Sequence, residues 1–141
     1  MSQTLSLQRS RKLLKEMNYE TWIVEKPYSP YTHRREDLFN FADLVAIRED
    51  IPGVLAIQAC GEDILSHVQK ILQGFTDRHG KTIPPNPYVK TWLQAQNRFH
   101  LWSWTIRGAR GKRKLWKLRE VEFVLSNGVV TPQEINHDEK E

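Results

Sequence analysis

Asp43 sits among Phe41, Ala42, Leu44 and Val45, and the next apolar run, "VLAIQAC" (54–60), closes on Gln58, Ala59 and Cys60. A carboxylate embedded in apolar sequence is costly unless it is paired or binds a cation. With a period of two, Gln58 and Cys60 share one strand face. If the two segments pair as strands, one carboxylate meets an amide and a thiol across a single gap. Each residue also has a purely structural use. Asp43 can pair with Arg34 or Arg35 just upstream, Gln58 can be a satisfied buried amide, and Cys60 can fill core space as most free cysteines do.

A second feature with chemical potential is charge. Arg107, Arg110, Lys112, Arg113, Lys114, Lys117 and Arg119 lie within thirteen residues that contain no acid. These seven cations exceed the formal net charge of +4, so the chain is a basic arm on a mildly acidic body. Concentrated positive charge of this kind suits phosphate backbones, with a solvated surface hairpin as the plainer alternative. Trp102, Trp104 and Trp116 flank the arm; sheet packing accounts for most such residues, and one left exposed would stack on an unpaired base. Other chemistries are excluded. The five histidines show no paired ligand spacing and one cysteine is too few for a structural zinc cluster. "GARGKRK" lacks the Lys-Ser/Thr ending and the strand–loop–helix setting of a P-loop.

The elements that must position these residues follow from periodicity. Residues 6–17 carry Leu7, Leu13, Leu14 and Met17 at helical spacing, with Asn18 as the stop. "YETWIVEK" alternates as a first strand, and "PYSPYTHRRED" reads as a loop. "LFNFADLVAI" (38–47) is expected to be a second strand with Phe39, Phe41, Asp43, Val45 and Ile47 on one face. "VLAIQAC" is apolar on both faces, the mark of a central strand. Residues 62–73 are helical, with Ile64, Leu65, Val68, Ile71 and Leu72 on one stripe. A loop follows, and Asn86-Pro87 starts a helix that runs to about Gln96. "FHLWSWTIR" and "KLWKLREVEFVL" form a strand pair across the glycine-containing arm. Residues 1–126 therefore form one α/β domain, a mixed sheet with helices on its faces, and 127–141 a polar, frayed tail.

This order resembles the PD-(D/E)xK nuclease superfamily, whose core runs α-β-β-β-α-β, and within it the Holliday-junction-resolvase-like branch. "FAD" ending at Asp43 matches the motif Asp on the second core strand, and Gln58-Ala59-Cys60 stands where Glu-x-Lys falls on the third. The branch carries a Glu on its first helix, where Gln8 falls here. The likeness spans about residues 5–75 and leaves the basic hairpin and the additional helix outside the shared core. It implies a restriction-endonuclease-like fold and a site in which Asp43, Gln58 and the Ala59 carbonyl hold Mg²⁺ or Mn²⁺. Gln58 keeps an oxygen but loses a charge, so metal affinity would fall. Cys60 cannot supply the ammonium of the motif Lys. His67 and Gln69 flank the second helix's apolar stripe as nearby replacements, and Lys70 faces away from it. Glu62 and Asp63 either add carboxylate oxygens or cap that helix.

The resemblance thus implies a metal-dependent endonuclease acting on branched or structured DNA, and a homodimer if it resolves junctions. Its catalytic set would be Asp43, Gln58, Cys60 and His67. The phosphates would meet Arg34, Arg35, Arg107, Arg110, Lys112, Arg113 and Lys114. Degeneration of the motif keeps open a non-catalytic DNA- or RNA-binding module on the same fold, and a subunit that docks an acidic protein. No apolar run approaches the length of a membrane span, and the lone cysteine is expected to stay reduced in the cytoplasm.

Overall fold

The computed structural model describes residues 5–24, 26–29, 34–36, 38–39, 41–61, 63–107, 111, 113 and 115–135. The chain begins with α1 (Leu5–Glu16), which buries Leu7, Ser10 and Leu14 along one stripe. The helix ends where sequence placed its stop. Asn18 takes a positive φ of 70°, and Tyr19 N–H donates back to Leu14 O at 2.9 Å.

A six-stranded sheet forms the centre. In chain order its strands are β1 (Glu20–Ile23), β4 (Leu44–Arg48), β5 (Ile51–Cys60), β8 (Arg98–Arg107), β9 (Leu115–Ser126) and β10 (Val129–Ile135). They lie side by side in that same order. All neighbours are antiparallel except β5 and β8, which run parallel. A parallel pair needs a long crossover, and here it contains α2 (Ile64–Gln73) and α3 (Tyr88–Gln94). The fold is therefore α/β with a mixed sheet between helical layers.

β5 is apolar on both faces because both are covered. Leu55 and Ile57 join Leu7, Leu14, Leu44 and Trp102 under α1. Ala56 and Cys60 join Ile64, Val68, Ile71, Val89, Phe99 and Phe123 under α2 and α3. Gly53 holds β5 against the turn before β8. Its φ is 83°, and a Cβ there would stand 2.2 Å from Gln96 O, so only glycine allows the approach. The neighbouring Val54 N–H donates to Asn97 Oδ1 at 2.9 Å, which fixes the register.

Several expectations need correction. The strand expected over 38–47 begins only at Leu44; Phe39 has φ 50° in a turn closed by a Leu38–Ala42 bridge. Aromatic packing produced the strand-like pattern, since Phe41 lies 4.6 Å from the Phe99 ring and 5.6 Å from Trp92. The stretch taken as a proline loop contains the hairpin β2 (Lys26–Ser29) and β3 (Arg34–Glu36). The loop after α2 holds another, β6 (Phe75–Thr76) and β7 (Thr82–Ile83). Leu65 is exposed rather than part of the buried stripe. The tail is corrected most. Residues 129–135 pair with β9 along their full length as the sixth strand.

Candidate functional site

Asp43 stands immediately before β4, not in mid-strand. Its N–H donates to Ile57 O at 3.0 Å and its carbonyl accepts Val24 N–H at 3.0 Å, which stitches it to both neighbouring strands. Leu44 pairs with Ile57, so Asp43 lies across from Gln58 one step further along. Asp43 is buried, with 8 % of the residue exposed, and its Oδ2 accepts the Ala59 N–H at 2.8 Å. The structure thus brings together Asp43, Gln58 and Ala59 at one end of the sheet. Gln58 is half-buried, on the face shared with Cys60.

Cys60 is buried, and its thiol is pushed up to about 12, first by burial and then by the charges of Asp43 and Asp63. A thiol so placed stays protonated near neutral pH and is a poor nucleophile. Ser103, fully buried on β8, sits beside Cys60 in the parallel register and donates its hydroxyl to Gly61 O. Sequence reading missed Ser103. Its signal was a small hydroxyl between Trp102 and Trp104, meaningless until the strands are aligned.

Asp63 is the N-cap of α2, its Oδ1 accepting Ser66 N–H at 3.3 Å, so the capping alternative accounts for it. His67 is half-buried one turn on. Burial and Lys70 lower its pKa below the ordinary value, against an opposing pull from Asp63. Among the described residues no hydrogen bond links the His67 ring to Asp43, Gln58 or Cys60. Lys70 stands 5.2 Å from the Phe75 ring, away from the site. Gln8 is exposed and lines a groove of about 260 Å³ on α1 with Arg11, Lys12 and Lys15.

No family model, curated protein or solved structure matches this chain. The site is therefore read from its own geometry.

The basic arm joins β8 to β9, whose last cross-strand pair is Arg107 with Leu115. Arg113 is exposed. Arg110, Lys112 and Lys114, and the side chains of Arg34, Arg35 and Arg107, lie outside the described residues. Of the tryptophans, Trp102 is buried and Trp104 is partly buried with Nε1 donating to Ser10 Oγ at 3.0 Å. Trp116 remains 41 % exposed, with the Arg9 guanidinium 3.7 Å from its ring centroid. Arg9 too was missed; only the fold brings α1 beside β9.

The opposite face of the sheet holds a cluster that spacing did not reveal. His100 Nδ1 lies 3.1 Å from Glu120 Oε2, and its Nε2 lies 3.8 Å from Glu122 Oε2. The two acids alternate onto one face of β9, and Glu122 pairs directly with His100 on β8. Among the described residues no group of three His, Cys, Asp or Glu side chains surrounds a common metal position. A larger cavity of about 840 Å³ lies at the far end of the sheet, walled by Lys15, Tyr19, Ile47 and Glu49. There Arg48 is held by Asp50 at 2.7 Å and by Met17 O at 3.1 Å. No described helix is long and apolar enough to cross a membrane.

Proposed function

We propose that this protein is a divalent-metal-dependent endonuclease of the PD-(D/E)xK type, acting on structured or branched DNA. The observation that carries the reading is the buried Asp43 carboxylate on the Ala59 N–H, directly across from Gln58, at the sheet end that also bears the basic hairpin. The order of elements supports it. A helix, three core strands in antiparallel succession, a helical crossover and a parallel fourth strand follow in turn.

The residues present fit a hard cation. Carboxylate, amide and backbone carbonyl oxygens of Asp43, Gln58 and Ala59 suit Mg²⁺ or Mn²⁺, whereas the neutral Cys60 thiol offers nothing to either. Such an ion would supply an activated water and neutralise charge on the attacked phosphate. Asp43 provides the negative charge that recruits it, and Gln58 orients it without adding charge. His67, kept largely neutral by burial, is the candidate proton acceptor in place of the motif Lys. Arg113 and its hairpin neighbours hold the phosphate backbone in a salt-sensitive, sequence-independent manner. Paired cleavage of a junction needs a second copy of the chain, and a reducing cytoplasm suits the single free thiol.

Cys60 favours a second reading, a non-catalytic nucleic-acid-binding module, because a protonated thiol cannot replace an ammonium beside the scissile phosphate. Cleavage of a nicked or branched duplex with Mg²⁺ or Mn²⁺ separates the two. The endonuclease reading expects Asp43→Ala to cut activity at least about 100-fold, roughly the loss of one essential electrostatic group. Equal cleavage by both proteins removes the site; binding without cleavage by wild type selects the module.

A further inference from the structure

We infer that Arg9 and Trp116 form a stacking platform for an unpaired nucleotide, so that the substrate is nucleic acid with a single-stranded portion. This rests on the nucleic-acid reading above and narrows it.

Trp116 is the second residue of β9, one step in from the base of the basic hairpin. Arg9 of α1 holds its guanidinium 3.7 Å from the ring centroid and occupies one face of the indole. Trp116 keeps 41 % of its surface exposed beside that contact. Ile106, directly across the ladder on the same face, is also exposed, at 46 %. An apolar patch on the surface calls for an occupant. Here charge decides which: Arg9 lies on the ring, exposed Lys12 continues the positive charge along α1, and exposed Arg113 belongs to the adjoining hairpin. A flat apolar ligand that carries its own negative charges fits that combination. A base with its phosphates does, whereas a base paired inside a duplex has no free face to offer.

The location joins the platform to the proposed cleavage site. Cys60 is aligned with Ser103, and β8 runs four residues further to Arg107. Gln58, across from Asp43, is aligned with Leu101, so the hairpin base at Arg107 stands six residues, roughly 20 Å, beyond Asp43 along the strands. The platform lies on the α1 face, with Leu118 and Glu120, and Asp43 on the face covered by α2 and α3, so a strand that reaches both passes around this end of the sheet.

The test is fluorescence anisotropy at low salt with labelled (dT)12 and a blunt 20-bp duplex. It compares wild type, Trp116→Ala, Trp116→Phe and the triple variant Lys112→Gln/Arg113→Gln/Lys114→Gln. Trp116→Ala should weaken (dT)12 binding about tenfold and duplex binding less than twofold, with Trp116→Phe restoring most of the loss. Thermal melts verify that the exposed substitution leaves folding intact. Unchanged (dT)12 binding by Trp116→Ala, or equal loss on both ligands, overturns the platform. If the triple variant then still weakens both ligands, the nucleic-acid reading survives without it. Failure of wild type to bind either ligand removes both.

Discussion

Each face of the sheet buries a carboxylate, and the two are treated in opposite ways. Glu120, 7 % exposed, meets the imidazole of His100 at 3.1 Å. That contact crosses the β8–β9 ladder, and Glu122 approaches the other ring nitrogen at 3.8 Å. Asp43, 8 % exposed, is oriented by the Ala59 N–H, and its charge is strong enough to help hold the Cys60 thiol up. The first arrangement ties β8 to β9. The second ties the start of β4 to the end of β5, beside Gln58 and Cys60. Burial alone does not distinguish a site from a structural acid; what lies beside the acid does.

That contrast can be broken by substitution. Glu120→Ala should destabilise the fold by about 2 kcal/mol in urea unfolding, because His100 Nδ1 loses its partner in a covered position. Asp43→Asn, which keeps the acceptor oxygen for Ala59 N–H, should cost less than about 1 kcal/mol. Should Asp43→Asn prove as destabilising as Glu120→Ala, Asp43 belongs with the structural acids and the contrast collapses.

Smaller effects follow from the titrating groups near Asp43. The folded chain keeps the Cys60 proton up to about 12, while the unfolded chain releases it near the ordinary 9.0. The folded state then binds more protons between those values, so stability is intact below pH 9 and falls as pH rises towards 12. Cys60→Ala should flatten that part of the alkaline profile, and the native thiol should resist iodoacetamide at pH 8. A rapidly alkylated native thiol would contradict the burial argument. His67 gives the smallest effect, with the opposite sign. Its folded pKa is lowered from 6.5, so its contribution is present above that value and is lost as pH falls below it. His67→Gln should reduce the acid-side slope of the melting temperature; an unchanged slope would mean that the ring is as well solvated folded as unfolded.

Local physics was legible in the sequence. The α1 stripe and its Asn18 stop, the covered β5, the Asp63 cap and the long β8–β9 pair all rest on contacts within a few residues or on plain alternation. The juxtaposition of Asp43 with Gln58 followed from the same alternation. What stayed hidden depends on distant partners. β10 looks like a tail because it is a sheet edge: Val129, Pro132, Gln133 and Glu134 are exposed, and proline is tolerated where an N–H has no ladder partner. The turn at Phe39 looks like a strand because tertiary aromatic contacts demand the same residues that alternation would. His100 with Glu120, and Arg9 with Trp116, join positions 20 and 107 apart, which only register and helix packing bring together.

The central claim is that Asp43 carries a charge that works rather than one that merely folds. Cleavage of a nicked branched duplex in Mn²⁺ by wild type and by Asp43→Asn, at matched thermal stability, tests it most directly. The account predicts a loss of at least about 100-fold with DNA affinity retained. Cleavage at the wild-type rate by a stable Asp43→Asn protein would contradict it.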